Sequence, residues 1–246
     1  MNAPARPTHA MALAAGLGTR MRPLTETRPK ALIEVASRSL LDRALDRLDA
    51  AGIERVVVNL HHLAATIEGH LATRRAPAVV FSREDVLLET GGGVAKALPL
   101  LGNAPFFVTS TDVIWLDGAM PALDRLAAAW NNARMDALLM IYPVPGALGY
   151  GGSGDFLLGD DGRLRRRPAG GTAPYLFTTV QILHPRLFDG VDVGVYSLNV
   201  LYDRAIAAGR LFGLVHDGIW AHVGTPEVLE AVGALLGRHD RAEARP

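Results

Sequence analysis

Residues 14–30 read Ala14-Ala15-Gly16-Leu17-Gly18-Thr19-Arg20-Met21-Arg22-Pro23-Leu24-Thr25-Glu26-Thr27-Arg28-Pro29-Lys30. A short apolar run, Ala10 to Ala15, leads into two glycines one residue apart and then a Thr-Arg pair. That order predicts a buried strand ending in a tight loop whose bare backbone N–H groups surround phosphate oxygens. Arg20 can fork onto such oxygens, and Lys30 supplies a second, point-like cation. Of the 25 Lys and Arg residues only Lys30 and Lys96 are lysines, so a lysine here runs against the usage of the chain.

Other glycine loops fit this stretch less well. A dinucleotide fingerprint needs a third glycine three residues after Gly18, where Met21 stands. A P-loop needs Gly-Lys followed by Ser or Thr, and no Gly-Lys pair occurs.

The rest of the composition bounds the problem. At 246 residues, 49% hydrophobic and 20% charged, the chain can bury the core of one large α/β domain and is not of the disordered class. Twenty-five acidic residues balance the 25 basic ones. That argues against a general nucleic-acid or anionic-membrane surface and leaves cations to act locally, in a pocket. With no cysteine there is no disulfide, thiolate nucleophile or Cys-bound metal. The apolar stretch at Met11 to Ala15 is too short for a signal or membrane segment, so a cytoplasmic location is expected.

Outward from the loop, strands and helices alternate. Leu40 to Ala51 carries a helical apolar stripe stopped by Gly52; Arg55 to Asn59 predicts a buried strand, His61 to Leu71 a short helix and Ala78 to Phe81 a strand. A helix over Val94 to Leu98, a strand from Pro105 to Thr109, a helix at Pro121 to Trp130 and a strand from Asp136 to Tyr142 follow. The expected fold is α/β: one Rossmann-like, mostly parallel sheet flanked by helices. From Gly146 onward, Gly-rich and charged turns separate short pieces at Phe156 to Leu158, Arg163 to Arg165 and Tyr175 to Leu183, which predict a smaller antiparallel or mixed extension. A helix from Leu198 to Ala208 and a strand from Leu211 to Val215 come next. Thr225-Pro226-Glu227 then caps the last helix. Residues 1–8 are expected to form a loose tail, 9–145 and 146–238 the two parts of a single domain, and 239–246 an exposed end.

Three further segments suit the same chemistry. Glu89-Thr90-Gly91-Gly92-Gly93-Val94 places three glycines at a helix start, where a flat group can lie against main chain. Phe107-Val108-Thr109-Ser110-Thr111-Asp112 runs a strand into a carboxylate at the carboxyl edge of a sheet. Asp112 could there hold Mg²⁺ against a phosphate, although an Asp at a strand end also serves as a turn former. Trp220-Ala221-His222-Val223-Gly224-Thr225-Pro226-Glu227 sets a histidine just before the last helix. The His61-His62 and His184-Pro185 pairs lack zinc-site spacing, and no Gly-x-Ser-x-Gly elbow is present.

The stretch from Gly16 to Lys30 resembles the signature of sugar-1-phosphate nucleotidyltransferases, Gly-x-Gly-Thr-Arg-hydrophobic-x-Pro-Leu-Thr with a Pro-Lys several residues on. The resemblance extends over about residues 10 to 236. It implies a GT-A-like fold and a reaction in which a sugar 1-phosphate attacks a nucleoside triphosphate, with pyrophosphate leaving. On this reading Arg20, Lys30 and Asp112 are catalytic. Ala14, Ala15, Gly16, Gly18, Thr19 and Arg20 hold the nucleotide from one side, and Gly91, Gly92 and Asp112 from the other. Gly154 and Asp155, in a Gly-Asp-Phe stretch like that beside the family's acceptor sugar, join Lys30 on the sugar phosphate. Arg167 stands where many members have the Lys of Glu-Lys-Pro; a solvated basic turn is the alternative there.

The chain also departs from the family. Ser110-Thr111-Asp112 replaces Asn-Gly-Asp, and His222 stands where the family has its second metal-binding Asp. Imidazole suits Mg²⁺ poorly. His222 could therefore bind through water, favour Mn²⁺, hydrogen-bond a phosphate or be a packed polar residue. The implied cofactor is Mg²⁺ or Mn²⁺, with Asp112 and His222 as the metal set. The short length, the Glu-Thr-Gly-Gly-Gly loop and Ile182-Leu183-His184-Pro185-Arg186-Leu187-Phe188 look most like the branch that uridylylates N-acetylmuramate 1-phosphate in cell-wall recycling. UTP and a sugar 1-phosphate are then the partners, with no nucleic acid or membrane, in a monomer or small homo-oligomer. Glucose, mannose or heptose 1-phosphate, choline phosphate, or a catalytically silent sensor of nucleotide sugars are the alternatives.

Overall fold

The computed structural model describes residues 6–243. β1 (His9–Leu13) is followed, beyond the glycine loop, by a small hairpin of β2 (Glu34–Val35) and β3 (Arg38–Ser39). α1 (Leu40–Ala50), β4 (Arg55–Leu60), α2 (Ala64–Leu71), β5 (Ala78–Arg83), α3 (Glu89–Leu101) and β6 (Phe106–Ser110) then alternate. β7 (Val113–Leu116), α4 (Ala122–Ala129) and β8 (Ala137–Pro143) lead to the Gly-rich region. Beyond it lie β9 (Phe156–Leu158), β10 (Leu164–Arg166), β11 (Tyr175–Leu183), α5 (Leu198–Ala207), β12 (Leu211–Val215), β13 (Ile219–His222) and α6 (Pro226–Glu243).

Among the described residues, nine strands form one sheet. β6, β1, β4 and β5 run parallel side by side, and β12 runs parallel to β8. β11 is antiparallel to β6 and β8 and joins the two groups, while β9 and β10 extend the sheet beside its first residues. The central strands are apolar on both faces because helices cover both. Their side chains alternate accordingly. Ala10, Ala12, Val56, Val58 and Phe107 enter one buried cluster, and Met11, Val57, Phe106 and Val108 the other. A third cluster sets Met21, from the glycine loop, against Ile114 and Val223, and against Val232 and Leu236 of α6.

Several elements differ from the sequence expectation. α3 starts at Glu89 rather than after the glycines, so Gly91, Gly92 and Gly93 lie inside it. Packing overrides the helical cost of glycine here: a Cβ on Gly92 would lie 1.7 Å from the Gly194 carbonyl oxygen, and one on Gly91 2.5 Å from the Tyr196 ring. α2 begins at Ala64, not His61, because Leu63 adopts φ +53° in the left-handed region. The chain is tied down before residue 8: Arg6 donates to the Ala51 carbonyl at 2.7 Å and pairs with Asp124, and Glu54 N–H donates to Thr8. Residues 1–5 of the expected tail and residues 244–246 of the expected exposed end lie outside the described residues. α6 continues through Glu243, where that exposed end was expected to begin at 239. No helix among the described residues is long and apolar enough to cross a membrane.

Candidate active site

The carboxyl ends of β1, β4 and β6, with residues 177 to 181 of the antiparallel β11, open onto a cleft of about 440 Å³, a size typical of small-molecule sites. The glycine loop forms its first wall. Gly18 has φ +63°, and a Cβ there would lie 2.9 Å from both the Lys30 Cβ and the Thr25 methyl, so only glycine fits without displacing them. Thr25 donates its hydroxyl to the Gly18 carbonyl at 2.8 Å, and Met21 N–H donates to the same oxygen at 2.9 Å. Buried Met21 anchors the turn from below. Among the described residues no acceptor meets the N–H groups of residues 16 to 18, which stay available to an anion. Ala14, Ala15 and Gly16 line the cleft; Thr19 and Arg20 are exposed beside it, and nothing among the described residues pairs with the Arg20 guanidinium.

At the cleft floor, Lys30 Nζ lies 2.7 Å from Asp112 Oδ2. His222 Nε2 stands 3.2 Å from the same oxygen, and Ser110 donates its hydroxyl to Oδ1. The pairing of β13 with β7 brings Asp112 and His222 together across 110 residues: His222 lies opposite Val113, and Val223 N–H donates to the Asp112 carbonyl at 2.8 Å. The His222 ring stacks on Trp220, and Gly224 leaves it room, since a Cβ there would come within 2.8 Å of Cε1. Burial pushes the Asp112 carboxyl up, but the hydrogen bond from His222 and the charge of Lys30 outweigh it and hold the group well below the ordinary carboxylate range. Asp112 is therefore an anion already matched to the Lys30 cation. Its oxygens and the His222 nitrogen are the donors a metal would use. Among the described residues no group of three or more His, Cys, Asp or Glu side chains is placed to hold an ion. Such a donor set fits a divalent ion that keeps its waters and takes further oxygens from a phosphate ligand; the imidazole suits Mn²⁺ better than Mg²⁺.

The opposite wall corrects one expectation. The N–H groups of Gly91 and Gly92 both donate to the Tyr196 carbonyl, at 2.9 and 3.1 Å. They fasten α3 to the segment before α5 and are spent as donors. Leu87, Glu89 and Thr90 line the cleft instead. Thr90 also accepts the Leu198 N–H at 3.0 Å, so the starts of α3 and α5 meet at the same edge. Gly154 and Asp155 do not line the cleft directly. Gly154, at φ +79°, passes within contact of the Ala173 carbonyl, and Asp155 Oδ2 accepts the Phe177 N–H at 2.8 Å, which fixes the first residues of β11. Arg167 is exposed, and its guanidinium donates to the Gly171 carbonyl at 2.7 Å, away from the cleft.

Other residues of the site were not singled out from the sequence. Asn59 is buried at the end of β4, where its Oδ1 accepts the Ala14 N–H at 2.8 Å and its Nδ2 donates to Glu84 Oε1 at 2.8 Å. Glu84, also buried, takes the Leu88 N–H on its other oxygen at 2.9 Å. Gln181 accepts the Tyr202 hydroxyl at 2.7 Å deep in the cleft. Thr179 stands beside it at φ +68°, a conformation that costs a β-branched residue about 1–3 kcal/mol. The signal was available: each is a polar residue breaking an apolar strand at its carboxyl-end or cleft side, as in Val56-Val57-Val58-Asn59 and Phe177-Thr178-Thr179-Val180-Gln181.

Residues 10–155 match the MobA-like NTP transferase domain. An N-acetylmuramate alpha-1-phosphate uridylyltransferase of Caulobacter vibrioides is 48% identical, covering 94% of this chain and 97% of its own length. Its counterpart in Neisseria meningitidis is 38% identical, over 93% and 98%. The inositol-1-phosphate CTP transferase of T. maritima superposes with a TM-score of 0.76 at 16% identity, covering 95% of this chain and 96% of that one. A UDP-glucose pyrophosphorylase complexed with UDP-glucose gives a TM-score of 0.76 at 16% identity, over 94% and 98%. These last two show a shared fold. With the domain match spanning more than half its length and two relatives covered almost end to end, the chain belongs to the nucleotidyltransferases built on the MobA-like NTP transferase domain.

Proposed function

We propose that the protein transfers the uridylyl group of UTP to a sugar 1-phosphate, with N-acetylmuramate α-1-phosphate as the acceptor, in the recycling of cell-wall sugar. The uridylyl and muramate assignments rest on the two relatives. The chemistry rests on one observation above all: Lys30 and Asp112 in contact at the floor of a cleft whose rim is a glycine loop with free N–H groups.

An oxygen of the sugar phosphate attacks the α-phosphorus of UTP in line, and the bond from that phosphorus to the bridging oxygen of pyrophosphate breaks. No group of the protein becomes covalently attached. The work is positioning and charge neutralisation between two polyanions. The N–H groups of residues 16 to 18 cradle the triphosphate. Arg20, exposed at the loop and with no partner for its guanidinium among the described residues, receives charge on the departing pyrophosphate. Lys30 sits between the α-phosphate and the incoming phosphate, drawn off Asp112 as they bind. Asp112, with His222 beside it, would hold a divalent ion, which would supply neutralisation of phosphate charge. Gly154 and Asp155 act on the acceptor side by fixing β11, and Arg167 would have to leave the Gly171 carbonyl to reach a phosphate.

The test is a matrix of nucleoside triphosphates against sugar 1-phosphates, scored for pyrophosphate with Mg²⁺ and Mn²⁺ compared. UTP with N-acetylmuramate α-1-phosphate should give the highest kcat/KM. A higher value for another base or sugar would reassign the substrate, and UTP binding without pyrophosphate from any pair would make the protein a sensor.

A further inference from the structure

On β11 the pairing with β8 shifts between Phe177 and Gln181, and Thr179 lies in that irregularity. Three hydrogen bonds hold its neighbour. Thr178 donates its hydroxyl to the Met140 carbonyl at 2.7 Å, accepts the Val180 N–H on the same oxygen at 3.3 Å, and accepts the Trp220 indole N–H on its carbonyl at 3.2 Å. So fixed, the chain forces Thr179 into the left-handed region at φ +68°, where a β-branched residue is an outlier. Glycine would sit there without strain. Instead the position carries a hydroxyl, and that oxygen is buried with no hydrogen-bond partner among the described residues. Thr179 nevertheless lines the cleft. Strain together with an unsatisfied polar atom at a ligand-facing position is the pattern of a group kept for binding.

Its place in the cleft identifies the ligand group. Val180 pairs with Thr109, and the residue before it, Thr179, lines the cleft together with Ser110, whose hydroxyl holds Asp112. On its other side, Phe177 is fixed by Asp155. On the reading above, which puts Asp155 on the acceptor side, Thr179 belongs to the acceptor flank of the cleft that it lines together with Lys30 and Asp112. We propose that Thr179 binds the acceptor: with a rotation about χ1, its hydroxyl hydrogen-bonds a hydroxyl or amide substituent on the sugar ring close to the phosphate-bearing carbon. This rests on the uridylyltransferase reading given above.

The experiment measures KM for N-acetylmuramate α-1-phosphate and for UTP, with melting temperature, in the wild type and in Thr179→Val, Thr179→Ser and Thr179→Gly. Thr179→Val keeps shape and strain but removes the hydroxyl. It should raise the sugar-phosphate KM about tenfold, the scale of one neutral hydrogen bond, and leave the UTP KM within about twofold. Thr179→Ser should restore the sugar-phosphate KM. Thr179→Gly should melt higher than wild type, because the strain is gone, yet share the KM defect; it carries the test if the valine variant does not fold. An unchanged sugar-phosphate KM in the valine or glycine variant, or an equal rise for UTP, would overturn the proposal. If wild type itself releases no pyrophosphate, the uridylyltransferase reading fails separately. Calorimetric titration of each variant with N-acetylmuramate α-1-phosphate then decides the role of Thr179, an equal affinity in wild type and Thr179→Val or an absence of binding to wild type refuting it.

Discussion

Exchanging the polarity of the Asn59–Glu84 pair tests whether one buried chain of hydrogen bonds ties the glycine loop to the start of α3. Donors run from Ala14 N–H to Asn59, from Asn59 to Glu84, and from Leu88 N–H to Glu84, each at 2.8–2.9 Å. Both side chains are at most 4% exposed, so water cannot replace a lost partner. Gly93 also closes the site, since a Cβ there would lie 2.8 Å from Glu84 Oε1. Glu84→Gln turns one of two acceptors into a donor facing a donor, a loss of about 1–3 kcal/mol. Asn59→Asp sets two carboxylates against each other at hydrogen-bond distance. They cannot both ionise, so one retains a proton and its pKa in the folded state rises above the unfolded value. The sign follows: the folded form of that variant binds the extra proton. Its stability should therefore fall as pH rises above about 4, by about 1.4 kcal/mol per unit until the raised value is passed. Combining the substitutions reconnects everything, because the new carboxylate accepts from Ala14 and from the new amide, whose oxygen accepts from Leu88. Urea denaturation followed by tryptophan fluorescence at pH 5 and pH 8 measures the cycle. The double variant should be more stable than the sum of the single losses allows by about 2 kcal/mol at pH 8. Additive losses, or an Asn59→Asp variant whose stability ignores pH, would refute the network.

Lys30→Met should lower kcat by a factor of about 10²–10³, as expected for removing a charge that acts on the transition state, with the fold retained by circular dichroism; near-normal turnover would remove Lys30 from the chemistry. His222→Asp should keep or raise Mg²⁺-supported turnover and enlarge the rise in melting temperature on adding Mg²⁺, because two carboxylates then face each other where an imidazole now stands 3.2 Å from Asp112. A thermal shift equal to that of wild type would count against Asp112 and position 222 sharing an ion. Acid should unfold the protein in two stages. Burial pushes His216 below its ordinary value and keeps it neutral, so stability is lost as pH falls below about 6.5. Asp42, Asp112 and Asp136 oppose the effect of burial with hydrogen bonds and cationic neighbours and are held low; their contribution is present above about pH 4 and lost below it. A melting temperature flat from pH 7 to pH 3 would contradict both.

The tight glycine turn, the alternating sheet and the position of Asp112 just beyond a strand were legible because short-range rules govern them, whereas the contact of Asp112 with Lys30, 82 residues away, was not. A left-handed glycine, a strand running into a carboxylate and an apolar period each show in a dozen residues. His222 could be placed by resemblance, but its contact with Asp112 depends on β13 pairing with β7, a register that no local pattern encodes. Gly91 and Gly92 misled for a related reason. Three glycines advertise open backbone, whereas here they make space for Gly194 and Tyr196, a segment about a hundred residues away in the chain. Asn59 and Glu84 were overlooked because each looks like the ordinary polar end of an apolar strand. Their pairing is visible only once β4 and the loop after β5 are side by side.

Met21 shares a buried cluster with Val232 and Leu236, so the glycine loop leaves the ribosome well before α6, which completes its apolar support. A polypeptide halted before Val232 carries all the glycines and cations of that loop but lacks the α6 part of the cluster that includes Met21. Catalytic competence should therefore arrive abruptly once α6 has been made rather than accumulate with length, leaving shorter nascent chains unable to engage nucleotide.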